Sequence, residues 1–221
     1  MSKYRWRNYI MKENFIEIKE VEVAKNFYFR TPIWHTHNHN FLEQFNNISD
    51  EYLKKPNDKN IGKFSYVNHS ENLLKDQRFH KFLDYVGTLS GDFLVESGFD
   101  LKKYMPTFTE LWVQEFPKAG GGYHSCHVHY NQHVSGFYFL KCSDKTSYPI
   151  FHDPRSGALA TKLPEIDGTK ITEANSSFHI KPTPGSLILF PGYIAHEFTV
   201  DPGLDDFRFI HFNLQAVQNE V

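Results

Sequence analysis

Histidine is the residue type with the most chemistry to offer in this sequence, and there are 13 of them. In His127-Val128-His129 two imidazoles stand one residue apart. On an extended strand, positions i and i+2 project to the same face, roughly 6.6 Å apart along the chain, so both rings can turn toward one ion. A third donor has to come from another strand. His196 is well placed for that, because PGSLILFPGYIAH delivers it directly after an apolar run and a Pro-Gly turn. Imidazole suits first-row transition metals such as iron and zinc, and three facial ligands leave coordination positions open for reactants. The His-x-His pair by itself leaves a second reading open, that of two hydrogen-bonded strand histidines.

Other donors surround this group. Cys126 is a soft ligand in principle, but its parity is opposite to that of His127 and His129. His133 shares their parity and is either a further ligand position or, the simpler reading, a residue outside the site, whereas His152, His179 and His211 read as ordinary strand residues. His35, His37 and His39 alternate too, yet they stand at the expected start of a helix with no partner strand in view, which reads as a solvated segment. Asp153, in His152-Asp153-Pro154-Arg155, either closes over the site as a carboxylate ligand or, the simpler reading, makes an Asx turn with Arg155 in solvent. Arg208, in DDFRFIHFNL, alternates with Ile210, Phe212 and Leu214 and so shares the apolar face of its strand. An inward arginine needs an anion, and its planar fork can hold a carboxylate bidentately. The alternative is a surface ion pair with Asp205 or Asp206.

The elements that would position these residues change in texture along the chain. From Asp76 to Gly98, Phe79, Phe82, Leu83, Val86, Leu89, Phe93 and Leu94 follow helical spacing, and Gly98 is placed to end the helix. Its Phe79, Leu83, Val86 and Phe93 stripe needs cover. Residues from about Asn40 to Lys55 read as a polar helix, and FIEIKEVEVA as a strand with one wet face, bulged at Lys19-Glu20. After Met105-Pro106 come FTELWVQEF, VSGFYFL, SYPIFH, SFHIKP, GSLILFP, HEFTV and FRFIHFNL, short aromatic or β-branched segments punctuated by Gly, Pro and Asp. With no helix between them they predict an all-β barrel or sandwich, and an aromatic content of 16% suits a small barrel filled by large side chains. Residues 1–105 are expected to supply a strand and helices that pack on a barrel formed by 106–221, in one compact domain. The polar stretch from Ser156 to Ser177 is a lid, a binding loop or a surface insertion.

A formal charge of -2 gives no electrostatic reason to expect nucleic acid as a partner. The start MSKYRWRNYI lacks the apolar core of a secretory signal, and no stretch is long and apolar enough to span a bilayer. Two cysteines, Cys126 and Cys142, are too few for a disulfide framework and fit a reducing, cytoplasmic setting.

Taken together, residues 110 to 214 resemble the iron(II)- and 2-oxoglutarate-dependent oxygenases, particularly the prolyl-4-hydroxylase-like branch and the oxygenases of phages and bacteria. LWVQEFPKAGGGYHSCHVHY is similar to that family's strand, Gly-rich turn and first ligand pair. VSGFYFL resembles the next strand, PIFHDPR the following hairpin, and PTPGSLILFPGYIAHEF the turn carrying the distal histidine. The resemblance implies a double-stranded β-helix, a jelly-roll or cupin-like barrel. It implies iron(II) on His127, His129 and His196, with 2-oxoglutarate as cosubstrate. Arg208, twelve residues after His196, would hold the cosubstrate's distal carboxylate. Tyr123 either assists it or packs at the barrel mouth. No catalytic side chain beyond the ligands is implied. The expected reaction is hydroxylation of an unactivated C–H bond in a protein side chain or small molecule, with no membrane partner.

One residue departs from the family pattern: His129 stands where most members have Asp or Glu, although phage-type members often carry His-x-His. A neutral imidazole there leaves the metal centre one unit more positive. That keeps two rivals open: a three-histidine thiol dioxygenase of the cysteine-dioxygenase kind, which needs no 2-oxoglutarate, and a non-catalytic cupin-like metal-binding protein.

Overall fold

A computed structural model describes residues 23–53, 67–155 and 163–219. The chain divides into two units, Met1–Arg30 and Thr31–Val221. In the first, residues 23–30 form no regular element, and the Arg30 guanidinium lies 4.8 Å over the Phe27 ring. The strand expected over FIEIKEVEVA lies outside the described residues except for Val23 and Ala24, which are irregular.

The second unit contains ten strands and two α-helices among the described residues. In chain order they are β1 (Trp34–His37), α1 (Leu42–Leu53), β2 (Asn68–His69), α2 (His80–Glu96, preceded by a 3-10 turn at Gln77–Phe79) and β3 (Tyr104–Glu115). There follow β4 (His124–His127), β5 (Val134–Lys141), β6 (Pro149–His152), β7 (Ser177–His179), β8 (Ser186–Pro191), β9 (His196–Phe198) and β10 (Arg208–Gln218). They form a six-stranded sheet in the order β1-β8-β5-β10-β3-β2 and a four-stranded sheet in the order β4-β9-β6-β7. Every pairing is antiparallel. This is the double-stranded β-helix that the family resemblance implies, and it fits the all-β barrel or sandwich that the segment texture predicts.

Two apolar clusters explain the layering. Between the sheets lie Phe137, Phe139, Ile188, Phe190 and Phe209 from the larger sheet and Phe151 and Phe198 from the smaller. On the outer face of the larger sheet, Leu111, Val113, Tyr138, Leu187, Leu189, Ile210, Phe212 and Leu214 meet Phe45 and Ile48 of α1 and Phe82, Val86 and Phe93 of α2. The α2 stripe is therefore covered as expected, with Phe79 and Phe82 fully buried and Leu83 half-buried at its edge. Each fully buried phenylalanine contributes about 1.5–3 kcal/mol of transfer free energy. Asp76 caps the 3-10 turn by accepting from the Arg78 N–H at 2.9 Å. Hydrogen bonds from Arg78 pull the Asp76 carboxyl down to about 2. Gly98 closes the helix at a φ of +94°.

The segment around His35 and His37 is a strand rather than the start of a helix, and its histidines are exposed, as a solvated segment requires. β1 adds to the edge of β8, with Trp34 opposite Leu189 and His37 opposite Ser186. Trp34 packs edge-on against Phe93 at 5.3 Å, and His37 Nε2 reaches the Ser186 hydroxyl at 3.0 Å. The partner lies some 150 residues away in sequence (|i−j| = 149), so no local pattern announces it.

Candidate metal centre

Backbone pairing brings the three predicted ligands together. β4 and β9 pair with His124 opposite Phe198 and His127 opposite His196, so three steps on β4 match two on β9. That bulge carries one extra residue and lets both His124 and His127 face the barrel interior. His129 follows just past β4, where its N–H donates to the Gly192 carbonyl at 2.8 Å. A Cβ at Gly192 would stand 2.5 Å from the Gln132 carbonyl oxygen, so the Pro-Gly turn before His196 can pack against Gln132, three residues after His129, only because the residue is glycine. Ring centroids are 4.4 Å apart for His127 and His196, 5.0 Å for His129 and His196, and 5.1 Å for His127 and His129.

The set fits a transition-metal ion. One nitrogen from each ring lies within 4.8 Å of the others. His129 Nε2 and His196 Nε2 are 3.3 Å apart. Two nitrogens bound at right angles about 2.1 Å from one ion would be roughly 3 Å apart. The His127 Nδ1–H donates to the Ser125 carbonyl at 2.7 Å and the His196 Nδ1–H to the Ile194 carbonyl at 2.9 Å, which leaves each Nε2 lone pair facing inward. The Asn213 side-chain amide lies against the Nδ1 edge of His129 at 3.3 Å and also meets Glu110 at 2.5 Å. Burial pushes His196 down to about 3 and His129 to about 4, with repulsion from neighbouring histidines adding to the shift. Both rings therefore stay neutral near pH 7, the form that binds metal. Phe190 at 4.7 Å and Phe137 at 5.7 Å wall the His196 ring.

Arg208 is not part of this group. It lies on the face of β10 that carries Ile210, Phe212 and Leu214, and that face packs on the helices rather than into the barrel. Its Nε donates to Glu115 at 2.7 Å and its Nη1 to Asp50 of α1 at 2.8 Å, with 5% of the side chain exposed. The expectation that it holds an anion is met, but the anions are protein carboxylates, which already engage the fork that a cosubstrate carboxylate would need. The sequence misled because β10 is buried on both faces: Phe209 and Phe207 are as apolar as Ile210 and Phe212.

The remaining candidate residues separate cleanly. Asp153 accepts from the backbone and guanidinium of Arg155, at 2.9 Å and 2.7 Å, in the Asx turn. His133 Nδ1 accepts from the Ala216 N–H at 3.0 Å, away from the three-histidine group. Tyr123 is half-buried just before β4.

His211 is the residue whose importance the sequence concealed. Its ring is 3% exposed and lies 4.8 Å from that of His129 and 5.2 Å from Trp112. Among the described residues neither of its ring nitrogens has a hydrogen-bond partner, and the same holds for Trp112 Nε1 and Gln114 Oε1. Buried polar atoms are rarely left unpaired, so these point to something that pairs with them. The usable signal was parity: Phe209, His211 and Asn213 alternate on the inward face.

Residues 110–210 match the family model described as "Putative 2OG-Fe(II) oxygenase". Enzymes of that family use iron(II) as cofactor and 2-oxoglutarate as cosubstrate. No curated protein sequence matches the chain. Among solved structures, the fold is similar to a prolyl-4-hydroxylase from Pseudomonas putida (TM-score 0.52, 10% identity, 84% of this chain and 92% of that one). It is also similar to HygX from Streptomyces hygroscopicus, solved with nickel and 2-oxoglutarate (0.56, 9%, 84% and 83%). A third is a prolyl hydroxylase from Trichoplax adhaerens in complex with a hypoxia inducible factor peptide fragment (0.51, 14%, 83% and 83%). At these identities the structural likeness is one of fold. The resemblance read from the sequence is thus to the family whose model the barrel segment matches.

Proposed function

We propose that the protein binds iron(II) through His127, His129 and His196 and, with 2-oxoglutarate, hydroxylates an unactivated C–H bond of a protein side chain or a small molecule. The observation that carries this is the convergence of three imidazoles, two with their tautomers fixed by backbone carbonyls, inside a double-stranded β-helix. Bound iron would supply the activation of dioxygen. The chain's own contribution is to hold the ligand rings, to exclude water from one side with Phe137 and Phe190, and to orient the cosubstrate. Three uncharged ligands leave the full charge of the ion uncompensated, which favours a chelating anion such as a 2-oxo acid. With Arg208 turned away, the unpartnered Trp112 N–H and His211 ring beside His129 are the donors suited to the distal carboxylate, with the Tyr123 hydroxyl as a further one. Two free cysteines suit a reducing, cytoplasmic setting. No helix among the described residues is long and apolar enough to cross a membrane.

Anaerobic addition of iron(II) and then 2-oxoglutarate tests this directly. The reading expects a visible metal-to-ligand charge-transfer band and, on admitting oxygen, succinate. Iron bound without that band, but with a response to a thiol, would favour the three-histidine thiol dioxygenase. That alternative is supported by His129 and by the outward Arg208. Failure to retain iron at all would leave the non-catalytic reading.

A further inference from the structure

The outer face of the four-stranded sheet carries a second group of donors, on the side opposite the three histidines. Cys126 of β4, Glu197 of β9 and His152 of β6 stand on three adjacent strands, and one ligand atom from each lies within 4.8 Å of the other two. Strand alternation places them there: Glu197 follows the inward His196, His152 follows the inward Phe151, and Cys126 precedes the inward His127. His152 Nε2 and Glu197 Oε1 are already 3.3 Å apart, and each of those side chains is 34% exposed, so solvent reaches the group.

We propose that Cys126, His152 and Glu197 form a second divalent-cation site, suited to zinc and distinct from the iron site. Thiolate, imidazole and carboxylate are the donors zinc accepts, and three protein ligands leave its fourth position to water. The charge argument separates the two sites. A thiolate and a carboxylate neutralise a divalent ion outright, whereas the three imidazoles leave its charge for an anionic reactant to meet. A thiolate also selects for zinc over iron(II) and magnesium. On binding, the sulfur–hydrogen bond breaks, the proton leaves to solvent and the sulfur–metal bond forms, with no change of oxidation state. An ion there would tie together the strands that carry His127 and His196. The site does not depend on what the inner histidines do.

Cobalt(II) added anaerobically to the full chain is the test, because a cobalt–thiolate bond gives a near-ultraviolet charge-transfer band that three histidines cannot produce. The band is expected in the wild type, absent in Cys126→Ser and retained in a His127→Ala/His129→Ala/His196→Ala variant. His152→Ala and Glu197→Gln should weaken zinc binding by more than the roughly 10–100-fold that loss of an outer-sphere partner typically causes. Zinc stoichiometry gives a second readout that needs no inner-site variant: Cys126→Ser should bind one ion fewer per chain than the wild type. A wild type that takes up cobalt without the thiolate band, or a band that survives in Cys126→Ser, overturns the proposal.

Discussion

The two faces of β10 make a comparison within one strand. Toward the helices, Arg208 is saturated: its guanidinium donates to Glu115 and Asp50 and also to the Asn46 carbonyl at 3.4 Å. Toward the barrel, His211 is just as buried yet has no hydrogen-bond partner among the described residues, and neither does the neighbouring Trp112 N–H. The outer face is built to be complete in the folded chain. The inner face keeps polar capacity in reserve, which is where stability gives way to binding.

The largest effect should come from breaking the outer face. Phe82→Ala removes a fully buried ring from the helix–sheet cluster, at a cost of about 3–5 kcal/mol. Denaturant melts should show it, while variants that still fold keep their iron. Arg208→Ala strands the Glu115 carboxylate, only 15% exposed, and should cost on the order of 3 kcal/mol. Its 2-oxoglutarate affinity should be unchanged. A large loss of cosubstrate affinity without a loss of stability would return Arg208 to the site.

Alanine at His127, His129 or His196 should reverse the pattern. Metal content falls by more than about 100-fold in affinity, judged against the 10–100-fold typical of outer-sphere partners, while the metal-free fold persists. Stoichiometric iron in all three variants would remove the site.

Acid should act on the inner face selectively. Burial holds the folded-state values of His196 at about 3 and of His124 and His129 at about 4, and depresses His211 as well. In the unfolded chain these groups return to the ordinary value near 6.5. The unfolded state then binds more protons below that value. The metal-free protein should keep its full stability above about pH 6.5 and lose it as pH falls toward 4 and then 3. Melting temperatures that do not change between about pH 7 and 4 would contradict this. The smallest and sharpest change is Trp112→Phe, which deletes one unpaired N–H. Stability should hold or rise by up to about 1 kcal/mol, and 2-oxoglutarate binding should weaken about tenfold. Calorimetry reads both.

Local periodicity and spacing made much of this legible. The α2 stripe, the strand-and-turn texture after residue 105 and the His127-His129 pair could be read because each depends on neighbours in sequence, and His196 joined them through the apolar run and Pro-Gly turn before it and the family resemblance. The facing of β10 could not, since a strand buried on both sides has no polar side to mark its orientation. Nor could the strand nature of Trp34–His37, whose partner is remote, or the reserve at His211, which is defined only by what fails to meet it in three dimensions.

The ligand histidines also differ in how they are supported. His127 and His196 each donate to the carbonyl two residues before them, so a three-residue piece of chain sets the tautomer by itself. His129 instead leans on Asn213, which bonds to Ser135 and Glu110 on two other strands of the larger sheet. Two of the ligands are thus self-contained and portable, and the third is wired into the sheet. A change of oxidation state or occupancy at the metal would reach β3, β5 and β10 through His129, while the supports of His127 and His196 stay within their own turns.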